Sequence, residues 1–327
     1  MKKILLNKWF HLLLLTFLLI SATLYSFSET GVRQKLQNIV FDQYNRIKQR
    51  EPSNQVVIVD LDENSLKELG QWPWPRSIVA QMVQNLTDFG AKVIAFDMVF
   101  AETDRTSPRH IAQSLPLNEK TELIKQSLKS LPDNDFTFSQ TIKSVGNVVT
   151  GFSRARIDET RQNPQLSIPT TVLVKDRQEL FRNISSPEGV ATNLPIFSKL
   201  AAGNGHFMVT PESDGIIRRV NAFYKFPKDS EKPTLYPSLS LEALRVFVNP
   251  KARAILRTNK NQTLFDSKYL ISLGEYKIPV DEKLRNWVYY RDMNEQDYIS
   301  AVDVIKDETK EEFRSRIDGK IVFIGTS

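Results

Sequence analysis

Cysteine is absent from this chain, and histidine occurs only at His11, His110 and His206. The first absence excludes disulfides and thiolate ligands, and the second excludes a histidine-rich metal site. A chain without cysteine suits the cytoplasm and exported compartments alike, so it selects neither. Blocks of basic residues interleaved with aromatics are also missing. The 44 Lys and Arg and 38 Asp and Glu leave a net charge of +6 that is scattered along the chain. Such scatter is a solvated surface, and no nucleic-acid partner is expected. No internal repeat is visible. With 327 residues, 41% of them hydrophobic, the chain has room for one large domain or two small ones.

Charge is locally missing from one further stretch. Residues 1–8 carry Lys2, Lys3 and Lys8, and residues 9–27 then carry no Asp, Glu, Lys or Arg. Such a run, as a helix, is about 28 Å long, enough to cross the hydrocarbon core. Lysines on its N-terminal side predict a cytoplasmic N-terminus and export of the chain beyond residue 27. The expectation is a transmembrane anchor over 9–27. The competing expectation is a cleaved signal peptide, because Ser26-Phe27-Ser28 is a small-x-small site. Residues 28–50 predict a juxtamembrane helix with Val32, Leu36, Ile39, Val40, Tyr44 and Ile47 on one face. That face serves either as a stalk or dimer contact, or as a surface docked on the next domain.

The remaining chain is organised around residues 56–100. Residues 56–59 are apolar and β-branched, and they end in Asp60-Leu61-Asp62. Pro75 opens a helix, with Ile78, Val79, Met82, Val83, Leu86 and Phe89 on one face and Gly90 at its stop. Residues 93–96 form a second apolar run that ends in Asp97. Uninterrupted apolar strands mark a parallel sheet covered on both faces. Two of them around a helix predict a crossover unit with both carboxylate clusters at one sheet edge, where open α/β sheets bind ligands. The fold class expected is therefore α/β: a mainly parallel central sheet flanked by helices, with additional antiparallel strands and one N-terminal transmembrane helix.

Residues 102–135 are polar, contain three prolines and read as a surface insertion with a helix over 119–130. A helix over 138–145 and a third strand over 147–152 come after it. Further on, the pattern predicts a helix over 194–202 closed by Gly203-Asn204-Gly205. A hairpin of 206–209 with 216–224 comes next, then a helix over 237–248. Antiparallel strands over 268–273, 276–278 and 287–290 are expected after it, and a last buried strand over 320–324.

Several of these blocks together resemble the CHASE type 2 domain, a sensory module. The resemblance rests on 56–62 with Ser65 and Gly70, on Trp72-Pro73-Trp74-Pro75-Arg76, on Gly90-Ala91-Lys92-Val93-Ile94 and on Phe96-Asp97. It continues through Gly205-His206-Phe207, Asp214-Gly215-Ile216-Ile217-Arg218-Arg219, Tyr236-Pro237-Ser238-Leu239 and the block from Gly319 to Gly325. Where the family usually has Asp, in an Asp-x-Asp-Gly turn, this chain has Glu212, which weakens a calcium reading of that loop. The resemblance implies a sensory domain over 51–327, outside the inner membrane of a bacterium. It further implies a cytoplasmic output that is commonly an adenylate or guanylate cyclase, or a kinase. The family domain runs past Ser327, so the resemblance implies one that continues further.

Asp60, Asp62, Trp72, Trp74, Arg76 and Asp97 are the candidate ligand-binding residues. The plainer account of the three carboxylates is structural, since an Asp at a strand end caps the next helix or accepts backbone N–H groups. Arg76 would then brace one of them, and the indoles of Trp72 and Trp74 would cap the core. A rival enzymatic reading is a magnesium-dependent haloacid-dehalogenase-like phosphatase using Asp60 and Asp62. It requires a Ser or Thr where Asp97 stands. No catalytic residue, cofactor or metal is assigned. The partners expected are the membrane, a small-molecule ligand and a second copy of the chain; a domain that only mediates dimerisation is the remaining alternative.

Overall fold

The computed structural model describes residues 8–27, 31–48, 50–51, 53–116, 118–160, 162–228, 230, 233–260, 267–306 and 310–326. Lys2, Lys3, Ser28 and Ser327 lie outside the described residues. The chain divides into two compact units, one of residues 1–52 with Tyr289–Asp292 and one of Ser53–Val288 with Met293–Ser327.

The first unit holds helix α1, Lys8–Phe27, and helix α2, Gly31–Ile47. The uncharged stretch is thus helical throughout. Among the described residues no helix is long and apolar enough to cross a membrane. Along α2, Leu36, Ile39, Val40, Tyr44 and Ile47 are exposed. Tyr289 returns to this unit, its ring 5.4 Å from Phe41 and 6.4 Å from Tyr44.

In the second unit the chain begins with strand β1, Val56–Asp60, and helices α3, Glu63–Leu69, and α4, Arg76–Asp88. Strand β2, Val93–Phe96, comes next. Helices α5 (Pro108–Ser114), α6 (Glu119–Ser130) and α7 (Asn134–Val145) then lead to strand β3, Val148–Ala155. The central sheet runs in the order Tyr298–Ser300, β1, Ile321–Gly325, β2, β3. All these neighbours are parallel. On its outer side β3 pairs in parallel with Gly203–His206 and, further along, antiparallel with Gly189–Ala191. The crossover from β1 to β2 therefore skips one position, which the last strand of the chain fills.

Both faces of this sheet are covered, as its uninterrupted apolar strands predict. Ile94 and Phe96 join β1, α4 and α7 in one core with Val79, Met82, Val83 and Leu86. Val93 and Ala95 point the other way, against Leu239, Ala243 and Val246 of the helix Leu239–Val248. The period-2 alternation of strand side chains divides one short segment between two cores. A separate four-stranded sheet orders Tyr276–Val280, Tyr269–Leu273, Ile255–Thr258 and Thr171–Leu173 around its own core.

Four expectations fail. Gly203-Asn204-Gly205 does not close a helix; it is a strand, and the preceding helix is only Pro195–Ser198. Glycine is needed at 205 because a Cβ there would stand 2.6 Å from the Leu239 Cα. The hairpin of 206–209 with 216–224 does not form. Arg219–Asn221 pairs instead with Arg285–Trp287, and Phe223–Phe226 pairs with Thr234–Pro237. The strand expected over 287–290 is Arg285–Trp287. Finally, 102–135 is more than a surface insertion, since Asp104, Ser107, Lys125 and Asp135 are buried.

Candidate functional site

Local sequence places the first pieces. Asp62 is the N-cap of α3 and accepts the Ser65 N–H at 2.8 Å. Ser300 Oγ donates to the same carboxylate oxygen at 2.9 Å. Burial acts to raise the Asp62 carboxyl, but the bonds from Ser65 and Ser300 outweigh it and hold the group below its ordinary value. Asp62 is thus a cap, as the plainer account expected. Asp60 is buried at the end of β1, in register with Ser300 on one side and Gly325 on the other. Asp97 is exposed at the end of β2, where desolvation pushes its carboxyl up. Its N–H donates to the Ile324 carbonyl, so the last strand separates the two carboxylate clusters.

The tryptophan-proline block sits on the approach to α4. Gly70 ends α3 with φ of 87°, a conformation glycine adopts without steric cost, and its carbonyl accepts the Trp74 indole N–H at 2.8 Å. Trp74 is 1% exposed and belongs to the core. Trp72 is half-buried and packs edge-on against it at 5.4 Å. The first helical residue is Arg76, 7% exposed.

Arg76 braces none of Asp60, Asp62 or Asp97. Its backbone N–H donates to Asp104 Oδ2 at 2.8 Å, and its Nε lies 3.9 Å from Asp135 Oδ1. Its guanidinium stands 4.5 Å above the Phe100 ring. Burial lowers the guanidinium from its ordinary value, opposed by Asp135 and Asp104. Burial likewise raises the Asp135 carboxyl, whereas Asp104 is held low. Burial of Asp104 acts the other way, but its bonds from the Arg76 and Thr106 N–H groups and the Thr106 and Asn134 side chains prevail.

These groups enclose a cleft of about 330 Å³. Trp72, Pro73, Trp74 and Arg76 form one wall, and the chain leaving β2, from Val99 to Thr106, forms the other. Three of the six candidate residues, Trp72, Trp74 and Arg76, therefore come together at the cleft. Asp60, Asp62 and Asp97 are not among its lining residues. Phe100, Asp104, Arg105 and Asp135 were missed by sequence reasoning. A buried Asp in a polar, proline-broken segment resembles any loop residue, and only the fold shows what it meets.

Among the described residues, no group of three or more histidine or acidic side chains is placed to hold a metal ion. The arrangement is that of an α/β domain with an aromatic and arginine-lined cleft beyond the carboxyl ends of parallel strands. The chain belongs to the CHASE2 domain family, whose model matches residues 13–327. That family is one of extracellular sensory domains, not of catalysts. No curated protein and no solved structure matches the chain.

Proposed function

We propose that this chain is the signal-input part of a membrane-bound bacterial receptor, with its main domain outside the inner membrane. The observation that carries this reading is the cleft between Trp72 and Thr106 on a domain of sensory family. Residues 9–27 anchor the chain, supported by an uncharged helical stretch preceded by three lysines. A small molecule binds at Trp72, Trp74 and Arg76, while Asp60, Asp62 and Asp97 hold the neighbouring strand ends. The receptor works as a homodimer, supported by the exposed apolar positions Leu36, Ile39, Val40, Tyr44 and Ile47 at helical spacing on α2. Ligand binding favours one arrangement of the domain and biases a cytoplasmic adenylate or guanylate cyclase, or a kinase.

An export test decides the placement. Alkaline phosphatase fused after Ser327 is expected to be active in a bacterial host, and β-galactosidase at the same position inactive. The reverse pattern overturns the reading. A membrane fraction that releases the chain with salt or carbonate overturns the anchor alone.

A further inference from the structure

We infer that the cleft is built for a small organic oxyanion, a carboxylate or a phosphate ester, gripped by Arg76 with Arg105 at the mouth. This rests on the sensory reading above and names the chemistry of the ligand.

The site holds unused hydrogen-bonding capacity. A guanidinium carries five N–H donors and no acceptor. Arg76 is 7% exposed, yet among the described residues its guanidinium makes no hydrogen bond, and only its backbone N–H reaches Asp104. Its Nε is buried without an acceptor. Buried donors in native proteins are nearly always satisfied, so an idle guanidinium facing a cleft points to a partner that arrives with the ligand.

The acceptors nearest it are already engaged, and the other carboxylate lining the cleft, Glu102, is exposed. Asp104 Oδ1 receives the Thr106 N–H and hydroxyl, both at 2.7 Å, and its Oδ2 receives the Arg76 N–H and the Asn134 side chain. Asp135 Oδ2 receives the Asp104 N–H at 2.9 Å. Asp135 Oδ1 remains open, but at 3.9 Å from Nε it neutralises the arginine without accepting from it. Around Arg76 itself the open capacity is thus mostly donor capacity. Arg105 adds to it: it lines the cleft, is exposed and makes no hydrogen bond or ion pair among the described residues.

Shape narrows the class. A planar guanidinium matches the two oxygens of a carboxylate or phosphate. Trp72 offers a half-buried indole for the body of the ligand, and Phe100 backs the guanidinium. The volume of about 330 Å³ lies at the small end of small-molecule sites, which suits a metabolite and not a peptide.

The test uses the full chain in detergent micelles, with melting temperature and tryptophan fluorescence as readouts. The probes are benzoate, succinate, glycerol phosphate and inorganic phosphate, with choline and glucose as cationic and neutral controls. At least one oxyanion is expected to raise the melting temperature in a saturable way. Carboxylates and phosphates are separated by which set does so. Arg76→Lys keeps the charge but loses the fork, and is expected to weaken binding by about tenfold or more. Arg105→Gln changes only an exposed side chain, so it folds, and is expected to weaken binding severalfold. An oxyanion whose affinity neither substitution changes is an adventitious ion only, and overturns the inference. Binding of choline or glucose that Trp72→Ala abolishes also overturns it, while leaving the sensory cleft in place. Silence of every probe overturns it too, and the receptor reading then rests on the export test.

Discussion

Ser65 and Ser300 are 235 residues apart in the chain, and their hydroxyl oxygens are 3.0 Å apart. Ser300 donates to Asp62, and the Ser65 hydroxyl oxygen, beside both, accepts the Val302 N–H at 3.0 Å. Three short polar side chains thereby pin the start of α3 to the edge strand Tyr298–Ser300. Asp62→Ala is expected to destabilise the domain by about 0.5–2 kcal/mol, the usual cost of a lost N-cap. The lowered carboxyl sets the sign with pH. Its contribution is complete above the unfolded value of 3.8 and is lost as pH falls through the lower folded value. Urea unfolding should show a wild-type advantage at pH 7 that shrinks toward pH 3. An advantage that stays constant in acid would exclude the cap as its source.

His206 gives the opposite kind of dependence. It is 1% exposed, its ring lies 4.6 Å from Tyr224 and 6.2 Å from Phe152, and among the described residues neither ring nitrogen has a hydrogen-bond partner. Burial, aided by Arg154, pulls it down from 6.5 to about 3. Between these values the unfolded chain binds a proton that the folded chain refuses. Stability therefore falls as pH drops below 6.5, at up to about 1.4 kcal/mol per pH unit. His206→Phe keeps a ring and removes the titration. The stability profile of this variant between pH 6.5 and 4 is expected to be flatter than wild type, and an unchanged slope would sink the assignment.

Glu242 and Arg245 form a bidentate pair, each 2% exposed, with bonds of 2.8 and 2.9 Å. Arg245 also donates to the carbonyls of Ala202 and Pro250. Burial raises the Glu242 carboxyl despite Arg245. Glu242→Met leaves a buried cation without its counter-charge and is expected to cost about 3–5 kcal/mol. The double variant Glu242→Met, Arg245→Met should cost less than the sum of the singles. Additive losses in chemical denaturation would show that the two residues act separately.

Gly205→Ala should be poorly tolerated for a steric reason. The added Cβ would stand 2.6 Å from the Leu239 Cα and 2.7 Å from its N, and backbone cannot step aside as a side-chain tip can. A loss of about 1–3 kcal/mol is expected, the range for overpacking. Gly146→Ala, with nothing within 4 Å, meets no such clash and reports only the strain of its φ of 66°. A Gly205→Ala melting curve superimposable on wild type would contradict the close approach of strand and helix.

The sequence alone determined what depends on neighbours in the chain. The apolar strands β1, β2 and Ile321–Gly325, the apolar face of α4 and the cap at Asp62 were legible because period, branching and capping act over a few residues. The stiff Trp72–Arg76 block was legible as a candidate site for the same reason. Tertiary structure alone decided the rest. Nothing local says that the last strand inserts between β1 and β2, or that Gly203–His206 is a strand with glycines admitting a helix. The acidic partners of Arg76 come from a polar stretch, 28 residues on at Asp104 and further at Asp135, instead of from the nearby strand ends. Burial of those carboxylates and the idle guanidinium exist only once segments distant in sequence pack together, because desolvation belongs to the assembled surroundings and to no single residue.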